Sequence, residues 1–117
     1  RRFRRGQRAA EKESWPQAIA AFEESVELCP DEGHFVVHLA WARHAASPDD
    51  DALLARCLED ARRGCRDAPE IAAGHALRGR LLAAAGRPND APDAYARALS
   101  LDPDQRDARH GLDALDR

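Results

Sequence analysis

The chain has 117 residues with 18 basic and 21 acidic side chains, a formal net charge of −3, and a length suited to one domain, since domains most often run about 100–150 residues. Twenty-five Ala and twelve Leu stand against three Val, two Ile and no Thr. That excludes a sheet protein, whose pleated faces need β-branched and aromatic side chains, and points to an all-α fold built from strong helix formers.

The acidic balance argues against a nucleic-acid or polybasic membrane binder. No run of about 18 apolar residues exists to form a transmembrane helix. The opening Arg1-Arg2-Phe3-Arg4-Arg5 lacks the apolar stretch of a signal peptide. No methionine occurs anywhere, so the chain reads as a piece of a longer protein. Cys29, Cys57 and Cys65 form no C-x-x-C pair. Reduced, partly buried thiols in a cytoplasmic protein are expected.

Seven prolines divide the chain into predicted helices at 2–13, 15–29, 33–46, 49–64, 68–85, 89–101 and 104–116. Five of the first eight residues are Arg, expected as a solvated face or the tail of a preceding linker rather than a phosphate site. Pro16 opens the second, where the missing N–H costs nothing, and Pro30 ends it. Positions 34, 38, 41 and 45 of the third fall on one helical stripe. Ser47 is the expected N-cap of the fourth, just before Pro48, with Asp49-Asp50-Asp51 complementing the macrodipole in its first turn. Asp67 is the expected N-cap of the fifth, with Pro69 in its first turn and Gly86 as its stop. Pro88 opens the sixth, Pro92 stays within its first turns, and Pro103 follows its end. The last segment sets Ala108, Leu112 and Leu115 among charged residues. It fits an end cap, or the first helix of a further unit.

An internal repeat decides the architecture. Gly6, Ala18, Ala21, Phe22, Ser25, Leu28, Pro30 and Asp31 recur 73 residues later as Gly79, Ala91, Ala94, Tyr95, Ala98, Leu101, Pro103 and Asp104. Leu39-Ala40, Leu58 and Ala61 mark a middle unit. It is lengthened by about two residues at Ser47–Asp51 and about three near Gly64–Asp67, both in turns that tolerate insertion. Small residues in the first helix of each unit (Gly6, Ala40, Gly79) admit the second helix closely. Phe22 and Tyr95 fill the space between hairpins.

This pattern resembles the tetratricopeptide repeat, whose unit is about 34 residues. The resemblance implies an all-α, right-handed superhelical solenoid of antiparallel helix pairs forming one domain over 1–117. Its repeats would span about 1–31, 32–67 and 68–103, followed by a capping helix at 104–117. The wording His38-Leu39-Ala40-Trp41-Ala42-Arg43 is similar to repeat segments of bacterial multidomain proteins. Arg78, where the family usually has Leu, and Pro88, opposite Trp15 of the first repeat, depart from the pattern.

In that family the concave wall is lined by the first helix of each repeat. Carried onto this sequence, the expected groove comprises Phe3 and Gln7, then His34, Val37, His38 and Trp41, then Ala73, Leu77 and Arg80, with Ala10, Ala45, Ala76 and Ala84 beside them. Trp41 fits either the groove or the core between hairpins. The family's clamp for acidic chaperone tails uses Lys and Asn in the first repeat, Asn in the second, and Lys and Arg in the third. Matching positions here hold Phe3 and Gln7, His38, then Ala73 and Leu77, so that clamp is rejected.

The resulting expectation is a non-catalytic protein-interaction module for a peptide or helix, which could come from its own full-length chain. It would take no cofactor, nucleic acid or membrane. The alternative is a structural segment ordering neighbouring domains, or a homodimer through a first hairpin that nothing obvious caps. His34 and His38 share a metal-compatible spacing but lack a third ligand. They are expected as groove histidines that make binding pH-sensitive. No G-x-S-x-G, P-loop or H-E-x-x-H motif is present, and no serine adjoins a histidine.

Overall fold

A run rich in Ala, Leu and Arg with almost no β-branched residues favours helix at every step, and turns form where proline, glycine or aspartate interrupts it. In a computed structural model that describes residues 1–87 and 89–115, seven helices result. They are α1 (Arg2–Glu11), α2 (Trp15–Leu28), α3 (Gly33–Ala46), α4 (Asp51–Asp67), α5 (Ala72–Ala84), α6 (Ala91–Leu101) and α7 (Arg106–Leu115). No strand occurs among the described residues.

Two expected caps are corrected. Ser47, Pro48 and Asp49 lie in the turn, and α4 is capped by Asp50, whose carboxylate accepts the N–H of Leu53 at 2.9 Å. A side chain three residues upstream of a free N–H reaches it, and Ser47 is too far back. Asp67 is the last residue of α4, not a cap of α5. Pro69 stays in the connecting turn, where its carbonyl accepts Nε2–H of His75 at 2.8 Å. Pro16 and Pro92 do occupy first helical turns. The expected role of Pro88 lies outside the described residues, as do positions 116 and 117 of the expected end helix.

Helices α1 and α5 close with the same motif, 73 residues apart. After α5, Gly86 has φ +71°, its N–H reaches the Ala83 carbonyl, and the Arg87 N–H reaches that of Leu82. After α1 the corresponding residue is Glu13 at φ +56°, with its N–H on Ala10 and the Ser14 N–H on Ala9. The left-handed position suits glycine, and a side chain there costs about 1 kcal/mol.

Helix α1 packs on α2, α3 on α4 and α5 on α6, and α7 covers the last hairpin against α5 and α6. Close approach inside the outer hairpins depends on missing side chains. A Cβ on Gly6 would lie 2.5 Å from Cε1 of Phe22, and one on Gly79 would lie 2.6 Å from Cε1 of Tyr95. The core forms three clusters. Phe22 with Leu39 and Ala42 joins the first and second hairpins. Val37, Leu54, Cys57, Cys65 and Leu81 fill the middle. Tyr95 with Ala76, Leu82 and Ala108 seats α7. Leu58 touches the last two clusters and links them. All three cysteines are free, Cys57 and Cys65 buried and Cys29 exposed. Burial pushes the Cys65 thiol up to about 11.

Candidate functional site

A groove of about 420 Å³ opens along the side where α1, α3 and α5 face one another. Gln7 of α1, His38 and Trp41 of α3, and Ala73, Leu77 and Arg80 of α5 meet there. Each hairpin supplies its first helix, and helical spacing brings 38 with 41, and 73 with 77 and 80, onto one face of each.

Three expected groove residues are elsewhere. Val37 has 0 % exposure and belongs to the middle core cluster, so no partner can reach it. Helix α3 is packed on several sides at once, by α2, α4 and α5. That leaves position 37 turned inward while 38 and 41 reach the groove. Phe3 and His34 do not line the groove. They belong to an aromatic cluster that closes the seam between α1 and α3. Phe3 stacks on Phe35 at 4.4 Å between centroids, meets His38 edge-on at 4.7 Å, and lies 5.5 Å from His34. Among the lesser members, Ala76 is fully buried and Ala10 lines the groove.

Trp41 is both groove and core. It is half-buried against the middle cluster and lines the opening. The guanidinium carbon of Arg80 lies 3.9 Å from its ring centroid, a cation–π contact. Arg80 also pairs with Asp107 of α7 at 3.7 Å. The cation is thus held between an indole face and a carboxylate.

His38 donates Nδ1–H to the His34 carbonyl at 2.9 Å, because a carbonyl can only accept. Burial pushes its pKa down to about 4; the His34 ring opposes protonation as well, while the His34 carbonyl and Asp107 favour it. His38 is therefore neutral from pH 5.5 to 7.5 and does not supply the pH sensitivity expected of it. With Nδ1 committed to a carbonyl and 6.4 Å between the two ring centroids, the pair is not arranged as chelating ligands. Among the described residues no group of three His, Cys, Asp or Glu is disposed to hold a metal ion.

The sequence reading missed part of the wall. Glu11, Glu13 and Trp15 at the α1–α2 turn, Phe22 of α2 and Asp107 of α7 also line the groove. Only first helices had been assigned to it. Two signals were available: Glu11 lies one helical turn beyond Gln7 on α1, and Trp15 is a large aromatic next to a turn. Two further depressions lie among the described residues. One of about 470 Å³ between α5 and α6 is bordered mainly by Arg78, Arg87, Asp90, Asp93 and Arg97, with His75 and Leu82 beside them. One of about 330 Å³ lies beside Cys57. Neither offers an apolar anchor site of comparable breadth.

No protein-family model and no curated protein matches the chain. Solved structures do. A chain in the structure of Naa15/Naa10 bound to HypK-THB matches with a TM-score of 0.83 and 19 % identity, over 97 % of this chain and 16 % of its own length. This chain therefore spans about a sixth of that one. The Arabidopsis OM64 TPR domain matches with a TM-score of 0.75 and 16 % identity, over 98 % of this chain and 91 % of that domain. The first TPR of Spaghetti (RPAP3) bound to the HSP90 peptide SRMEEVD gives 0.76 and 16 %, over 98 % and 89 %.

Proposed function

From the premise that this chain folds as a tetratricopeptide-repeat solenoid, we propose that it is a non-catalytic protein-interaction module holding a peptide or helix of a partner in its concave groove. The observation that carries this reading is Trp41. A half-buried indole, pinned by Arg80 and bordered by Trp15 and Leu77 in a groove of about 420 Å³, is the kind of rigid aromatic anchor that dominates interface energetics. The groove keeps Gln7, His38, Trp41, Ala73, Leu77 and Arg80 as its contact set, with Phe3, His34 and Val37 supporting them from behind.

The Spaghetti (RPAP3) domain was solved with an HSP90 peptide that ends in Glu-Val-Asp. The same type of ligand does not suit this groove. Phe3, Gln7, His38, Ala73 and Leu77 supply none of the cations a terminal carboxylate needs. Self-association through the first hairpin is also poorly supported. The apolar side of α1 (Phe3, Ala9, Ala10) packs inward, and the outer side presents exposed Arg1, Arg4, Arg5 and Arg8, with Arg2 paired to Glu24 at 3.3 Å. A reducing, cytoplasmic setting accords with three free thiols. No helix among the described residues is long and apolar enough to cross a membrane.

The test is affinity capture with the wild-type chain and with Trp41→Ala, helicity being checked by circular dichroism. Partners captured by the wild type are expected to be lost with Trp41→Ala. Survival of every partner through that change rules out the groove as the binding face.

A further inference from the structure

The charges around the groove are unbalanced in a way that bears on what it holds, and this argument rests on the groove reading above. Four ionised side chains line it: Glu11, Glu13, Asp107 and Arg80. Arg80 is already consumed, between the Trp41 ring and Asp107. Glu11 and Glu13 are exposed, and neither has an ion-pair partner among the described residues. Lys12, between them in sequence, does not border the groove.

His38 adds an acceptor from the floor. Its Nδ1–H is spent on the His34 carbonyl, so in the neutral ring Nε2 carries a lone pair. That nitrogen has no hydrogen-bond partner among the described residues. The ring lines the groove while packed against Phe3 and Phe22.

The turn after α1 carries a glutamate at φ +56°, where the equivalent turn after α5 has glycine at φ +71°. Gly86 does not line the groove and Glu13 does. A side chain at positive φ costs about 1 kcal/mol, and this one stands at the groove rim.

We infer that the groove selects a cationic occupant: a segment of another protein with an apolar or aromatic anchor seated between Trp15 and Trp41, and a neighbouring Lys or Arg received by Glu11, Glu13 and Nε2 of His38. The basis is charge complementarity. Unpaired carboxylates and a neutral imidazole acceptor lining one groove make a cation the favourable neighbour of its aromatic wall. An acidic segment would meet like charge there.

The test uses three synthetic amphipathic helical peptides with identical Leu and Phe anchors and flanks of Lys and Arg, of Gln, or of Glu. Binding to the full chain is followed by fluorescence anisotropy at low and high salt. The basic peptide is expected to bind tightest. Glu11→Gln with Glu13→Gln should weaken it about tenfold at low salt and less at high salt, as screening requires. Glu13→Gly separates function from folding: it should raise Tm by about 3 °C while lowering affinity about threefold. Equal or tighter binding of the Gln or Glu peptide, binding of none of them, or less than a twofold effect of the double substitution overturns the inference. So does light scattering that shows a second copy filling the groove. Trp41→Ala keeps the two readings apart. If it abolishes binding while the Glu substitutions do nothing, the groove stands and its cation selectivity falls. If it changes nothing, the groove itself is wrong.

Discussion

His38 lies against Phe3 and Phe22 and gives its Nδ1–H to the His34 carbonyl, and burial brings its pKa to about 4 from an ordinary 6.5. Between those values the unfolded chain binds the proton and the folded chain does not. Stability is therefore full above about pH 6.5 and is lost as pH falls toward 4, by about 2–3 kcal/mol at pH 4.5. Urea unfolding across pH 4.5–8 measures it, and His38→Phe is expected to flatten most of the slope. Burial lowers the pKa of His44 too, so a smaller dependence of the same sign persists in that variant. The spacing of His34 and His38 was visible in the sequence. The neutralisation of His38 was not, because it comes from aromatic rings on α1 and α2 that approach only after the hairpins stack.

Among the elements, the outer hairpins were the most legible, because identical residues recur 73 positions apart and each has a steric task. Gly79 touches the Tyr95 ring so closely that any side chain must displace it. Gly79→Val is expected to cost about 2–3 kcal/mol, as overpacking in a tight core does, read from the urea midpoint. Helix ends in the middle unit were less legible. Its turns hold Pro48 and Pro69, and proline serves a turn as readily as a first helical turn. Three consecutive aspartates stand at the start of α4, and only a folded N-terminus selects Asp50 among them by its bond to Leu53. Asp50→Ala should cost about 1 kcal/mol and Ser47→Ala nearly nothing, a contrast that thermal unfolding of both variants resolves. The groove was legible on α3 and α5 apart from Val37, which α4 and α5 enclose, and His34, which joins the aromatic cluster with Phe3. Beyond Glu11, which continues the Gln7 stripe, it was not legible at the α1–α2 turn, because Glu13 and Trp15 lie past the end of α1.

For the whole molecule, three core clusters lie in sequence along a body of 36 × 30 × 25 Å. Each hairpin depends on its neighbours, as in any stacked array. The end helix α7 buries Ala108 completely and lays Leu112 and Leu115 against the Tyr95 cluster. Removing residues from Arg106 onward is expected to lower stability by about 3 kcal/mol. Light scattering should then report association through the uncovered face. An unchanged Tm and mass in the shortened chain would mean that α7 rides on the array without sealing it.

The contact of Arg80 with both Trp41 and Asp107 joins α3, α5 and α7 through a single side chain. Asp107 is carried by the last helix, yet it neutralises a charge at the centre of the concave face. Undocking α7 would strip Arg80 of its counterion and shift the groove's balance by one positive charge. Whatever tugs on the C-terminal end of the array would thereby be felt as a change in the ligand the groove prefers. The end helix is, in electrical terms, a tuning element for a surface it barely touches.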